Sequence, residues 1–359
     1  MSAEAYNKPL PIRFGDEVAL VSPISLPPQQ FRSDDAIMRY LAEVKHLKPR
    51  NFIAEFDTPI DRLAHFHHAI ESGQKTLLPV TGNRYGEDII DKINYNLLEK
   101  AKPLFCTFSA ASVLHHAIRE RSKLVTFYGP HISFLYNMAV PRENAYVQDS
   151  FWNMLTKQAN SVGINEGLAK YFFKWDENNL ILKNIFSTSL KSSEIKSEEI
   201  YFIPERNDQS RALVQGKLIP SFLQSLERAI DMGVKIDFNN TIVLVESDET
   251  SFNQSLDIIK RLKKISNISS ASALILASFV TFKRNPPNVE LQEELYNRKN
   301  VADFVSKVRR LFKGNLPVIH GFPMGHLRYK LTIPSGVDAE LNIETGDINI
   351  KESPFSNTK

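Results

Sequence analysis

The sequence predicts an α/β protein of two domains, an N-terminal parallel-sheet α/β domain and a smaller C-terminal α+β domain. Its 359 residues exceed what one hydrophobic core usually organises. The first third alternates short β-branched apolar runs with helix-like segments, the pattern of a parallel sheet with helices on its faces. A second ordered region follows a weakly patterned stretch and ends in short alternating strands.

Glu17–Ser22 (EVALVS) is a short apolar run stopped by Pro23 and predicts a buried strand. Thr58-Pro59-Ile60-Asp61 reads as a helix start, with Thr58 at the N-cap, Pro59 at the first helical position and an acidic residue in the first turn. Gly73 closes that helix, and 75–80 resumes as a strand. Strand, helix and strand follow at 103–108, 110–122 and 123–128. This first domain is placed at residues 1–160.

Between Lys174 and Gln209 the periodicity fades, and residues 161–210 read as a connector or insertion. The second domain, residues 211–359, starts with a helix expected at 221–232, Pro220 being tolerated at its start. Thr241–Glu246 (TIVLVE) reads as a strand, 255–265 as a helix and 271–280 as a strand. Asn285-Pro286-Pro287 demands a loop, because consecutive prolines lack backbone donors. A helix at 300–312, a strand at 316–320 and short strands within 331–350, broken at Pro334-Ser335-Gly336 and Thr345-Gly346-Asp347, complete the chain.

Composition excludes several classes. The 44 basic and 41 acidic side chains leave a formal charge of +3, too little for a nucleic-acid partner without a concentrated basic patch. Cys106 is the single cysteine, so no internal disulfide can form and a thiolate metal site has no basis. The N-terminus lacks a charged-then-apolar signal pattern, and no apolar run approaches the ~18–20 residues that span a bilayer. A cytoplasmic protein with no membrane partner is expected. There is neither a G-x-x-x-x-G-K-[ST] loop nor a G-x-G-x-x-G, so phosphate cradling has no support.

Three residues supply chemistry. Ser109 stands between a strand and a helix, where open α/β sheets place ligands and a helix N-terminus offers N–H groups to a developing oxyanion. On that segment alone a helix N-cap serine is the more economical reading. No G-x-S-x-G elbow surrounds it. Glu246 is a carboxylate delivered by an apolar strand, with Asp248 and Glu249 close behind; an exposed acidic loop is its plain alternative. His326 lies in a loop with Gly321, Pro323 and Gly325 that permits close backbone approach, although a lone loop histidine is commonly solvated. Together they provide nucleophile, orienting carboxylate and base, and their spread over both domains puts the site in the cleft between them.

The remaining histidines carry less. His65, His67 and His68 do not present three ligands on one helix face, and His115 and His116 face different ways. Cys106 sits in an apolar strand and reads as a buried, inert thiol.

In order along the chain, several segments resemble the LD-carboxypeptidase family of serine peptidases, which includes the microcin C immunity peptidases. Gly15-Asp16-Glu17-Val18 through Val21-Ser22-Pro23 is similar to the family's opening segment, and Arg84-Tyr85-Gly86 with 89–102 and Pro103 to its glycine-rich turn and following helix. Phe108-Ser109 falls where the family has its nucleophile, and Leu124–Pro130 resembles its strand ending in Gly-Pro. Val243–Glu246 resembles the strand carrying the catalytic glutamate. Leu316-Pro317, Gly325-His326 and Pro334-Ser335-Gly336 resemble the segment carrying the catalytic histidine, the most specific of these motifs.

The resemblance implies a dimeric Ser-Glu-His hydrolase without cofactor or metal, cutting an amide next to a free carboxyl end. Its substrates would be murein tetrapeptides, losing a terminal D-alanine, or peptidyl-nucleotide antibiotics. The Ala110 N–H is the expected oxyanion donor, with a second from the Asn83–Arg84 turn. Three positions depart from the family pattern. Thr107-Phe108-Ser109-Ala110 replaces Gly-x-Ser-Asp, Asn83-Arg84 replaces a Gly-Gly pair, and Gln215-Gly216-Lys217 replaces Gly-Gly-Asn. These departures motivate the competing class, a peptide-binding homologue that lost the reaction. For the nucleotide substrate an aromatic side chain that stacks on the base would help, and Trp175 with Phe172 and Phe173 is the candidate, although core packing is the more economical reading of Tyr171-Phe172-Phe173.

Overall fold

The computed structural model describes residues 6–27, 35–137, 142–156, 173–176, 179–182, 202–204, 212–248, 250–280, 298–327 and 330–356. Among these residues the strands form two sheets.

Apolar runs, and in one case a polar segment, become the parallel strands of the first sheet. They are β1 (Glu17–Val21), β2 (Lys48–Phe52), β3 (Thr76–Pro79), β4 (Leu104–Thr107) and β5 (Thr126–Tyr128). All pair in parallel in the order 2-1-3-4-5, and a sixth strand joins beyond β5. The chain leaves β1 in one direction for β2 and the other for β3, so the crevice at that reversal lies over the C-terminal ends of the strands. Between strands run α1 (Asp35–Arg39), α2 (Pro59–Glu71), α3 (Tyr95–Ala101) and α4 (Ser112–Ser122), with α5 (Ile132–Asn137) and α6 (Arg142–Thr156) after β5. Thr58 caps α2 through its side chain, accepting from the Asp61 N–H at 3.2 Å, and Pro59 opens it. β2, with its polar sequence KPRNF, escapes detection by apolar pattern.

The second sheet is the wider, with eight strands. β6 (Phe173–Asp176) and β7 (Asn179–Leu182), within the segment expected as a connector or insertion, form a hairpin at its edge. β8 (Leu213–Phe222) leads into α7 (Leu223–Asp231), β9 (Thr241–Asp248) into α8 (Phe252–Ile265), and β10 (Ala273–Val280), α9 (Arg298–Leu311) and β11 (Val318–His320) follow. β8, β9, β10 and β11 are parallel neighbours, whereas the other half of the sheet is antiparallel. The expected loop at Asn285-Pro286-Pro287 lies outside the described residues.

The helix expected at 221–232 begins two residues later, because β8 runs through Pro220. A proline inside a central strand normally forfeits a ladder bond. Leu218 directs its N–H away from β9, to Val337 O at 2.9 Å, and Pro220 shares that orientation by alternation. The antiparallel pairing on that side ends at Lys217, so the missing donor at Pro220 costs no ladder bond.

The C-terminal segment ties the sheets together. β12 (Ile333–Ser335) is the sixth strand of the first sheet, antiparallel to β5. After Gly336, at φ +90°, β13 (Asp338–Asn342) joins β8 in the second sheet, and β14 (Ile348–Ile350) follows. The positive φ is why glycine stands in this link. One continuous core accordingly includes Leu20 and Phe127 of the first sheet with Leu218 and Ile348 of the second.

Arg119 of α4 is fully buried at this junction. It donates to Ser335 Oγ at 2.9 Å and to Glu120 Oε1 at 2.5 and 2.8 Å. Arg119→Met should lower stability by about 3 kcal/mol, since it takes the cation from a largely buried carboxylate, leaving it the Tyr6 hydroxyl, as well as cutting the link to β12. The urea midpoint of the far-UV signal measures this; an unchanged midpoint would contradict the assignment.

Candidate active site

The C-terminal ends of β4 and β9 and the loop after β11 meet at one place. β4 delivers Ser109, which opens a single 3₁₀ turn (Ser109–Ala111) ahead of α4. Ser109 has φ +58°, in the left-handed region that costs a non-glycine residue roughly 1–2 kcal/mol. It is not the cap residue: Phe108 and Ala111 stand at the N-cap positions of the 3₁₀ turn and α4, and neither end has a side-chain cap bond. The Ser109 hydroxyl instead lies 3.1 Å from His326 Nε2.

His326 faces Glu246 with its other nitrogen, Nδ1 lying 3.1 and 3.0 Å from Oε1 and Oε2. A carboxylate there requires the proton on Nδ1, which leaves Nε2 as the acceptor facing Ser109. Gly325, at φ +106°, makes this approach possible. A Cβ on it would lie 2.6–2.7 Å from Ser278 Oγ and from Cβ and Cγ of Glu246. Phe108 and Phe222 flank the imidazole, with ring centroids 4.5 and 5.6 Å from it. Asp248 Oδ2 stands 3.9 Å from Nε2. Glu249 lies outside the described residues.

Glu246 is fully buried, and a second donor secures it. The Tyr128 hydroxyl, at the end of β5, donates to Oε1 at 2.6 Å. Burial and the adjacent carboxylate push the Tyr128 phenol well above its ordinary range, so it stays a donor. The arrangement can shuttle a proton between a hydroxyl and an imidazole whose positive charge a carboxylate stabilises.

Two family models match the chain, the LD-carboxypeptidase N-terminal domain over residues 18–129 and the LD-carboxypeptidase C-terminal domain over residues 215–341. The chain belongs to the LD-carboxypeptidase family. A probable murein peptide carboxypeptidase of Bacillus subtilis is 22% identical over 347 residues, covering 93% of this chain and 91% of the relative. The microcin C7 self-immunity protein MccF shares the fold with a TM-score of 0.70 at 18% identity, over 97% of this chain and 99% of that one. A muramoyltetrapeptide carboxypeptidase from Oxalobacter formigenes gives a TM-score of 0.69 at 18% identity, over 95% and 100%.

Around this candidate site of an LD-carboxypeptidase family member, the residues expected for the oxyanion fare differently. Ala110 follows Ser109 in the 3₁₀ turn and is buried. Asn83 accepts from Ser25 Oγ at 2.7 Å, joining the loops after β1 and β3. Arg84 turns outward with 56% of its side chain exposed and pairs with Asp57 at 3.1 Å. Gly82 is the tight point of this turn: its carbonyl accepts from Ala111 N–H at 3.3 Å, and a Cβ would lie 2.5 Å from Ala111 Cβ and the His131 ring.

No sequence motif marks Tyr128, His131, Gly82 or Lys330, which stand beside these residues, as part of the site. A polar tip closing an apolar strand in Phe127-Tyr128-Gly129-Pro130-His131 is the signal that could have revealed the first two. Lys330 is buried with its Nζ 4.1 and 4.8 Å from the ring centroids of Phe134 and Phe108. The other histidines fit their plain readings: His115 and His116 are fully buried, and burial together with the Arg119 charge pushes both well down. Burial pushes the Cys106 thiol up. Among the described residues no group of three or more His, Cys, Asp or Glu could hold a metal ion, and no helix is long and apolar enough to cross a membrane. Phe172 lies outside the described residues; Phe173 and Trp175 belong to β6, where Trp175 pairs with Leu180.

His131 Nε2 accepts from Phe108 N–H at 3.3 Å and from Thr107 Oγ1 at 3.2 Å, so it is neutral at that nitrogen. Burial first, then the nearby His326 and Lys330, pushes it down from 6.5 to about 3. Its folded pKa is depressed, so its stability contribution is complete above pH 6.5 and is lost as pH falls from there toward 3. His131→Asn should flatten the slope of unfolding free energy against pH between 4 and 6 by about 1.4 kcal/mol per unit. Urea titrations across that range test it; an unchanged slope would count against a neutral buried His131.

Proposed function

We propose that the chain is a serine-type carboxypeptidase that removes the terminal D-alanine from murein tetrapeptides. The observation that carries this reading is the 3.1 Å separation of Ser109 Oγ from His326 Nε2, with Nδ1 held on buried Glu246. Ser109 acts as nucleophile. As its Oγ bonds to the carbonyl carbon, His326 takes the hydroxyl proton, and Glu246 stabilises the imidazolium. The carbonyl oxygen becomes an oxyanion facing the Ala110 N–H, the second donor coming from the Asn83–Arg84 turn. When the C–N bond breaks, His326 returns the proton to the departing amine, and D-alanine leaves. Water, deprotonated by the same imidazole, then hydrolyses the acyl-serine. Family membership supports the reaction class, and the murein peptide carboxypeptidase name of the B. subtilis relative supports the substrate.

A peptidyl-nucleotide substrate is the second reading. It is favoured by the likeness, over 98% of this chain, to MccF in complex with aspartyl sulfamoyl adenosine.

Mass spectrometry of products from a murein tetrapeptide and from a peptidyl-adenylate analogue, incubated separately, decides between them. Release of D-alanine from the tetrapeptide alone is the expected result, and cleavage of the nucleotide conjugate alone would replace the first reading with the second. Ser109→Ala should lower turnover by about three to six orders of magnitude without changing the fold. Activity that survives Ser109→Ala but is abolished by a chelator would overturn the serine mechanism. Binding of both ligands with no turnover, and no labelling by a serine probe, would identify a binding protein that lost the reaction.

A further inference from the structure

We propose that the hydroxyls of Ser112 and Ser225 form a clamp that aims the Ala110 N–H at the oxyanion, making both serines positioning residues. This rests on the assignment of Ser109 as nucleophile.

The argument begins with the peptide plane. In a trans peptide the C=O of one residue and the N–H of the next point in opposite directions. Whatever holds the Ser109 carbonyl therefore sets the direction of the Ala110 N–H. That carbonyl accepts from Ser112 Oγ at 2.7 Å, from Ser225 Oγ at 3.2 Å and from the Ser112 backbone N–H. Ser112 begins α4 and Ser225 lies in the first turn of α7, so the carbonyl is drawn to where α4 packs on α7. The Ala110 N–H consequently faces away from that packing.

The next peptide repeats the logic. The Ala110 carbonyl accepts from Ser225 Oγ at 3.0 Å, and the Ala111 N–H turns the opposite way to Gly82 O at 3.3 Å. Ser225 carries one hydroxyl proton, shared between two adjacent carbonyls. Both serines are fully buried, so water does not compete for their acceptors.

Such a clamp answers a need created by Ser109. At φ +58° Ser109 is strained, and the bond that the backbone offers its carbonyl is the 3₁₀ one from the Ser112 N–H. Ser112 holds it locally, within the same turn. Ser225 arrives from the second domain, so the direction of the oxyanion donor depends on the packing of one domain against the other.

The test compares Ser225→Ala, Ser225→Thr and the Ser112→Ala/Ser225→Ala pair with the unaltered protein. Three quantities are read: the rate of covalent labelling of Ser109 by a fluorophosphonate, kcat and KM on the murein tetrapeptide, and the urea unfolding midpoint. Deleting a whole oxyanion donor costs roughly 10²–10³ in kcat, so misaiming one with Ser225→Ala should cost about tenfold. Labelling should slow in parallel, with KM and the midpoint little changed. Ser225→Thr, which keeps the hydroxyl, should restore the rate, and the double variant should fall further toward the full loss. If Ser109 of the unaltered protein labels and Ser225→Ala labels equally fast, the clamp is wrong and the nucleophile assignment stands. If the unaltered protein neither labels nor turns over, the nucleophile assignment falls and takes the clamp with it. A loss shared by Ser225→Thr and accompanied by a lower midpoint would reduce Ser225 to a packing residue.

Discussion

A fully buried carboxylate is the constraint to which the rest of the site answers. Glu246 is carried out of water at the end of β9, and an uncompensated charge there would cost several kcal/mol. Its oxygens take donors from both domains: the Tyr128 hydroxyl from the first sheet, and His326 Nδ1 from a loop of the second domain. Neither domain can satisfy the carboxylate alone. The β12 strand, which leaves the second domain to pair with β5 beside Tyr128, holds the two halves in the register that this satisfaction requires.

The same reciprocity governs the other side of the site. The first domain lends a donor to the carboxylate of the second, and the second domain's Ser225 lends a hydroxyl to carbonyls at the strained turn of the first. His131 adds a third tie by accepting the Phe108 N–H, so the residues before and after Ser109 are both pinned. A left-handed serine survives only where its surroundings over-determine it. Here hydrogen bonds fix the backbone on either side of the strained residue.

Much of this was legible in the chain. The Thr58-Pro59 start, the TIVLVE strand and the glycines flanking His326 are local signals, and each appears in the structure as the element or loop that its chemistry dictates. What stayed hidden depends on long-range packing. β2 is polar and has no apolar pattern to announce it. β8 passes through Pro220, a strand breaker that only the end of a neighbouring strand makes harmless. The expected break at Pro334-Ser335-Gly336 is instead β12, which runs through Pro334 and Ser335, and nothing local says that it crosses to the other sheet. Tyr128 and Ser225 escaped for the same reason. Their partners are 118 and 116 residues away, and no spacing rule reaches so far.

The departures from the family pattern take on a different meaning once the turn is seen. Thr107 stands where the family has glycine, and its hydroxyl shares His131 Nε2 with the Phe108 N–H. The replacement has thus acquired a partner within the tie that holds the turn. Arg84, in place of a glycine, is drawn outward to Asp57. Ala110, in place of an acidic residue, keeps the backbone N–H on which an oxyanion would rest, because an amide survives any side-chain exchange except to proline. The chemistry-bearing geometry is carried by Ser109, His326, Glu246 and backbone, whereas the exchanges alter side chains around it. Changes so distributed leave the hydrogen-bonded arrangement of Ser109, His326 and Glu246 in place.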